Sequence, residues 1–584
     1  MLRLSRNASA LCFAATVLAT EPGAAQADWP TSSTTNLPVC TATNAQQSPR
    51  IAPDMAGGAI IVWYDLRGTS GDIYAQHVFS NGSVDSAWPQ NGIVVCDAIS
   101  NQTSPVLVSD GGGGAIICWQ DFRNGTNYDI YAQHLLGTGT VDPAWPVNGS
   151  PMCLASGDQT APVGVSSTPG SAIFIWQDKR SGSTGDIYAQ RIQSNGVVAS
   201  GWPTDGFAVC TAIGVQQRPS ATQDGLGGVF LAWQDDRDGA ANTQIYAQHL
   251  RVDAALGTSW PSGGALVCGA PGAQLFPAVI GDGLGGAIAA WIDQRVGSTN
   301  GDIFAQHLLA DGGVDPAWPA NGGTVCNAPS NQLACALVGD GAHGAIVAWG
   351  DNRSSNLDIY AQRIRADGTL DPAWPINGLP VCTAANAQST PALVTDGSGG
   401  ALIAWLDFRA DASASDLFAQ HVLQGGAVAP GWPVDGVALC SAVGTQASHS
   451  LISDTAGGAI CAWFDLRNGA SGDIYSQRVL PTGLLGGSTV GVAPGSERPA
   501  RFAVTPNPSP SRSLTLTIGP NIGRTSLELF DVTGRLVAAR ELDMTDHHSQ
   551  QVQLNLEPNV IAGTYLVRLR EGTTVSLMKI VLLR

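Results

Sequence analysis

Lys179 and Lys579 are the only lysines in a chain of 584 residues, and just 13% of the residues are charged. The net charge is −18, and the 71 glycines leave exposed positions mostly to Gly, Ser, Thr, Asn and Gln. A surface so poor in cations repels phosphate backbones and anionic lipid, which argues against nucleic acid as a partner. After the N-terminus no apolar run reaches the eighteen or so residues of a membrane-spanning helix. No segment carries a helical period. No CxxC or Cys/His cluster offers metal-ligand spacing, and no phosphate loop, Ser/His/Asp arrangement or unique acid pair is present. Catalytic, cofactor-binding and metal-binding residues are therefore none.

What the chain does have is a repeat. All sixteen tryptophans belong to it. Trp63, Trp119, Trp176, Trp233, Trp291, Trp349, Trp405 and Trp463 each start a Trp-x-Asp-x-Arg, at spacings of 56 to 58 residues. Trp29, Trp88, Trp145, Trp202, Trp260, Trp318, Trp374 and Trp432 each start a Trp-Pro. An array of one supersecondary unit is implied.

The second copy shows the unit. Pro105–Asp110 reads as a short strand, and Asp110–Gly114 as a tight turn needing positive φ. Ala115–Arg123 follows as a strand with Ala115, Ile117, Trp119, Asp121 and Arg123 on one face. Asp129–Leu135 is a third strand, Asp142–Pro146 a rigid loop, and Ser150–Leu154 a fourth strand. Four short antiparallel strands in under sixty residues describe a propeller blade. The mature chain opens on a fourth element around Leu37–Cys40, and the last copy lacks one. The first strand can thus complete the last blade and close a ring of eight. Two tryptophans per blade, each burying about 150–250 Å², supply roughly 4–6 kcal/mol apiece as an upper bound. Sugar stacking would need exposed rings, so stitching between blades is the preferred reading.

The regular polar set is Asp65/Arg67, Asp121/Arg123 and their equivalents through Asp465/Arg467, with a repeated glutamine at Gln46, Gln102, Gln159, Gln216, Gln274, Gln332, Gln388 and Gln446. The glutamine is expected on the connection from outer to inner strand. Together with Trp63 and Trp119, carboxylate, guanidinium and amide are read as a latch between neighbouring loops. A feature repeated eight times does not make one asymmetric catalytic site. The turns at Asp54, Asp110, Asp224, Asp282, Asp340, Asp396 and Asp454 offer one carboxylate each, too few for calcium, and the third copy has Thr168-Pro169 instead. His77, His134, His249, His307 and His421 share a slot with Arg191, Arg363 and Arg478, which excludes a required ligand or base. A solvated or stacking basic position is expected there.

Eight of the twelve cysteines also repeat: Cys40, Cys96, Cys153, Cys210, Cys268, Cys326, Cys382 and Cys440. With strands about 4.8 Å apart, outer strands at a radius of roughly 20 Å place equivalent positions about 15 Å apart. A disulfide needs Cα atoms within about 7 Å. Each is read as a buried thiol acting as a small hydrophobe; Cys118, Cys335 and Cys461 leave an occasional bridge open.

The N-terminus reads as a signal peptide over 1–27. Arg3 and Arg6 precede an apolar run, Ala10–Ala19, and Ala25-Gln26-Ala27 is a small-residue cleavage site before Asp28. No lipobox precedes Cys12. The propeller is placed at 28–483 and a linker at 484–500. A small immunoglobulin-like β-sandwich follows at 501–584, with strands at 514–518, 526–531, 536–541, 551–556, 564–570 and 576–583. Pro506-Asn507-Pro508, Leu529-Phe530-Asp531-Val532-Thr533-Gly534-Arg535, Gly563-Thr564-Tyr565 and Lys579-Ile580-Val581 resemble the C-terminal sorting domain of the type IX secretion system, similar to the FlgD-like immunoglobulin fold. The resemblance covers about 85 residues. It implies a contact with secretion machinery and delivery to the outside or the outer-membrane surface of a Gram-negative bacterium.

The array also resembles exported bacterial repeat proteins with W-x-D-x-R…DIYAQ copies, which implies a propeller but no activity. The Ser-x-Asp-x-Gly-x-Thr-Trp boxes of sialidases and the quinone-site pattern of eight-bladed alcohol dehydrogenases are missing. The expected function is an exported scaffold binding a protein or glycan. A glycan hydrolase or lyase with its site at the ring's mouth, or a purely structural envelope protein, are the alternatives.

Overall fold

In the computed structural model the chain divides into two compact units, Met1–Thr489 and Val490–Arg584. The structure describes residues 29–182, 184–469, 471–486, 502–504, 513–518, 523–531, 536–544, 550–555, 563–571 and 574–582. The leader with Ala25, Ala27 and Asp28 lies outside the described residues, as do the linker from 487 on, Pro506, Asn507, Pro508, Gly534 and Arg535.

The first unit contains eight four-stranded antiparallel sheets. The first blade is built from Gln46–Pro53, Ala59–Asp65, Asp72–Val78 and Ile93–Cys96, and the second from Gln102–Ser109, Ala115–Asp121, Asp129–Leu135 and Ser150–Cys153. The first strand of the second blade starts at Gln102, before the expected Pro105. Gln102 and Thr103 already pair with Asp121 and Gln120, and pairing resumes at Val106 opposite Cys118 after a bulge. The proline sits inside that bulge, where it has no ladder hydrogen bond to lose. In the eighth blade Leu37–Cys40 pairs with Asp473–Val479, Leu37 opposite Ser476, and closes the ring.

Each core lies between blades rather than within one. Trp29, Cys40 and Ile474 of the eighth blade pack with Ile51, Trp63 and Val78 of the first, and seven equivalent clusters fill the other seams. The second strand is therefore covered on both faces, and Ala59–Asp65 reads as a continuous apolar run rather than an alternation. All sixteen tryptophans are buried, none more than 7% exposed. Trp29 Nε1 donates to Ser80 O of the next blade at 2.9 Å. Gly92, at φ +95°, lies under the Trp63 ring, where a Cβ would come within 2.5 Å.

First strands of neighbouring blades contact one another all round. Gly281 N donates to Thr222 Oγ1 at 3.2 Å, and Ser166 Oγ to Ser109 O at 3.1 Å. These strands surround the ring's axis.

The second unit has two antiparallel sheets. One joins Phe502–Val504, Ser513–Ile518 and Gln550–Asn555; the other joins Leu536–Met544, Gly523–Asp531, Gly563–Glu571 and Thr574–Leu582. Leu527, Leu529, Val552, Tyr565 and Val567 are buried. Asp531 stands opposite Tyr565, Gly563 opposite Leu582 and Lys579 opposite Leu566.

Candidate functional site

The most regular polar group forms where the second strand ends. Asp65 Oδ1 accepts from Arg67 N and Nε, each at 2.9 Å, and Oδ2 accepts from Trp63 Nε1 at 2.7 Å and Arg67 Nη2 at 2.6 Å. Arg67 Nη2 also donates to Asn91 O at 2.7 Å and meets Cys40 Sγ of the preceding blade at 3.2 Å, while its guanidinium stacks on Tyr74. Asp121, Arg123 and Trp119 repeat the set with Asn148 and Cys96. The ion pair recurs in all eight blades, with its aspartate wholly buried each time. Both carboxylate oxygens are committed internally, and the contact of Arg67 Nη2 with Cys40 Sγ reaches the preceding blade.

Two of its members differ from expectation. Gln46 and Gln102 are the first residues of their inner strands. Gln46 Nε2 donates to Thr43 O and Asn44 O, and Gln102 Nε2 to Ile99 O and Ser100 O, tying down their own connections. Neither joins the ion pair; Gln216 alone reaches its aspartate, Asp235, at 3.4 Å. The repeated thiols are more than small hydrophobes, since each meets an arginine Nη2 at 3.0 to 3.5 Å. Burial pushes the Cys40 thiol up to about 12, which keeps it protonated. The eleven described cysteines are all free.

The histidine slot is not solvated; of the two alternatives read from the sequence the stacking one holds, with His77 at 5.7 Å from the Trp88 ring centroid and His134 at 5.9 Å from that of Trp145. His77 is 6% exposed, with Nε2 at 3.0 Å from Asp54 Oδ2 and Nδ1 at 2.9 Å from Asp85 Oδ2. Desolvation opposes its charge, but the two carboxylates prevail and raise its pKa, while Asp54, whose Oδ1 also caps the turn amides of Ala56 and Gly58, is lowered. His134 sits the same way between Asp110 and Asp142. Arg363 spans Asp340 and Asp371, which explains the exchange of His with Arg: the slot holds a cation between turns.

A third series was not singled out in the sequence. Asp72, first residue of its strand, pairs in register with Asp65. Burial first, then Asp97 and Asp65, push it up to about 6, and Asp302 and Asp416 are pushed up to about 6 in the same position.

The inner strands, like the loops that follow each Trp-x-Asp-x-Arg, depart from the repeat. Their third residues, Ser48, Ser104, Ala161, Arg218, Phe276, Ala334, Thr390 and Ser448, all lie in the left-handed region at φ of +51 to +55°, and none is glycine. The bulge imposes this conformation, which costs about 1 kcal/mol per residue. It turns these variable residues out at the end of the axis beside the Asp65-type loops. Arg218 Cζ stands 4.5 Å from the centroid of Phe276, which belongs to the next blade and is 43% exposed. The fourth residue is proline in six blades, but Cys335 in the sixth and His449 in the eighth. His449 Nε2 is buried and has no partner among the described residues. The adjoining first blade contributes Arg50, which donates only to its own neighbour Pro49 O and is reached by solvent although surrounding protein desolvates it. A single sequence row hides this cluster; aligning the eight copies on their glutamines exposes it.

Among the described residues no group of three or more His, Cys, Asp or Glu side chains could hold a metal ion, and no helix is long and apolar enough to cross a membrane. A groove of about 390 Å³ beside Met152, Leu154 and Trp202 lies between the second blade's outer strand and the loop at 198–205 of the third.

Residues 503–583 match the family described as the secretion system C-terminal sorting domain. The chain thus carries a type IX sorting domain and is exported to the cell surface or extracellular space. No curated protein matches it. Among solved structures, the polysaccharide lyase Uly1 is similar at 10% identity and TM-score 0.34, over 66% of this chain and 91% of the lyase. The Hadza microbial sialidase Hz136 is similar at 14% identity and TM-score 0.32, over 60% and 73%. An α-L-arabinanase of Penicillium chrysogenum is similar at 15% identity and TM-score 0.31, over 58% and 100%. Likenesses at this level carry no weight for activity.

Proposed function

We propose that the exported ring is a binding scaffold for a protein or glycan at the cell surface, with its ligand held at the axial mouth. The supporting observation is that the repeat breaks there, on strained inner-strand bulges, while the repeated carboxylates are engaged within the ring. Strain held at variable, exposed positions on a rigid frame is the pattern of a recognition surface. The test is a screen of the mature chain against glycans and extracted surface proteins. Saturable binding that is lost on replacing mouth residues supports the scaffold. Turnover of a bound polysaccharide would replace it with an enzyme, and absence of any ligand would favour a purely structural protein.

A further inference from the structure

Cations without a carboxylate partner are rare in this ring. Among the described residues of the propeller, twelve arginines are paired with aspartates, which leaves Arg50, Lys179, Arg191 and Arg218. Arg191 is engaged by the hydroxyls of Ser167, Thr168 and Ser171. Two of the other three, Arg50 and Arg218, stand on inner strands. An arginine fork kept unpaired in a protein of net charge −18 is open to an anion.

Their positions are related by the ring. Arg50, on the first blade's inner strand, is near enough to His449, across the seam with the eighth, for its charge to act there; Arg218 and Phe276 straddle the seam between the fourth and fifth blades. Four blades separate these seams in either direction, so they are opposed across the axis. At the first seam His449 adds an orphaned Nε2. Burial and the nearby Arg50 charge push its pKa down to about 4, so at neutral pH the imidazole is uncharged and leaves Arg50 the one cation at this seam's end of the cluster. At the second seam the Arg218 guanidinium covers one face of Phe276, and the rest of this 43% exposed ring suits the apolar face of a sugar.

We infer that the mouth binds an anionic glycan laid across the axis, its acidic groups on the Arg50 and Arg218 guanidiniums and one ring on Phe276. The inference rests on the scaffold reading and narrows its ligand to a class. A protein partner would need a broad complementary surface, whereas this cluster offers a few spaced polar points and one small platform. Carboxylated and sulfated sugars share the required chemistry.

The test is calorimetric titration of the full mature chain with polygalacturonate oligosaccharides, with a sulfated glycan, and with carboxyl-reduced polygalacturonate as neutral control. At least one anionic glycan should bind, at least tenfold tighter than the neutral control and less tightly as salt rises. R50Q and R218Q should each weaken it about tenfold, and F276A similarly, with melting temperatures unchanged. R251Q, on an exposed pair with Asp253, should leave it intact. Preference for carboxylate or sulfate identifies the source. Equal binding of the neutral control, or indifference to R50Q and R218Q, overturns the inference. Saturable binding of a neutral glycan or a protein in the wider screen, with neither anionic glycan bound, would overturn this inference and leave the scaffold standing.

Discussion

His77 is held between Asp54 and Asp85, one carboxylate on each ring nitrogen at 3.0 and 2.9 Å. The two acids belong to different turns, so protonation of one imidazole fastens both. His77 has a raised pKa and Asp54 a lowered one. The histidine's contribution is complete below its unfolded pKa of about 6.5 and is lost as pH rises through its higher folded value. The aspartate's contribution is present above about 3.8 and is lost as pH falls through its lower folded value. Replacing His77 with Arg, which the sixth blade uses between Asp340 and Asp371, should shrink the stability loss between pH 6 and 9 by about 1 kcal/mol. Urea denaturation at the two pH values checks this; an unchanged difference would mean that the histidine is neutral in the fold.

Asp72, Asp302 and Asp416 act in the opposite sense to Asp54. Their pKa values are raised to about 6, so their contribution falls as pH rises from about 3.8 to about 6. Asparagine at each position should stabilise the protein by about 1–2 kcal/mol at pH 7.5 and by almost nothing at pH 4. Gln244 already fills this place in the fourth blade, opposite Asp235, so a neutral amide fits. Thermal melts at both pH values decide the matter, and destabilisation at pH 7.5 would contradict it.

Removing Asp121 strands the Arg123 guanidinium and the Trp119 indole in a buried site. D121N should cost about 3–5 kcal/mol, and R123K nearly as much, because an ammonium cannot reproduce the two-pronged contact. Guanidinium denaturation gives the numbers. A loss below 1 kcal/mol for D121N would show that the pair does not hold the blades.

Burial and pKa values of about 11 to about 12 should make the repeated thiols inert. In native protein at pH 8, Ellman's reagent should modify the eight slowly, and after denaturation all should react. Rapid modification of most of the eight in the native state would refute the arrangement around Arg67 and its equivalents.

Much of the fold was legible because one pattern is printed eight times. Trp63-x-Asp65-x-Arg67 and the missing fourth strand of the last copy were enough to expect eight blades and the pairing of Leu37 with the end of the ring. The environment of His77 was not legible, since its acids lie 23 residues before it and 8 after it, and only the fold brings them together. The role of Gln46 was misplaced for a related reason: the bulge at Ser48 starts the strand before the proline, and an alternation pattern does not reveal a bulge. The mouth cluster was hidden because its residues are those that fail to repeat. Arg50 and His449 are far apart in sequence and meet only at the closing seam.

That seam has a consequence for how the protein is made. Arg467 reaches back to Thr34 and Asn36, and Leu439 O accepts from Asn36 Nδ2, across separations of up to 433 residues. Joining chain ends so distant costs about 5 kcal/mol of loop entropy, met only when the final blade exists. The earliest strand to emerge is therefore the last to find its partner. Until the whole repeat has been synthesised, both ends of the array expose unsatisfied edges. Ring closure thus reports completeness: a chain cut short within the array lacks the strands that Leu37–Cys40 must join, and remains an open arc.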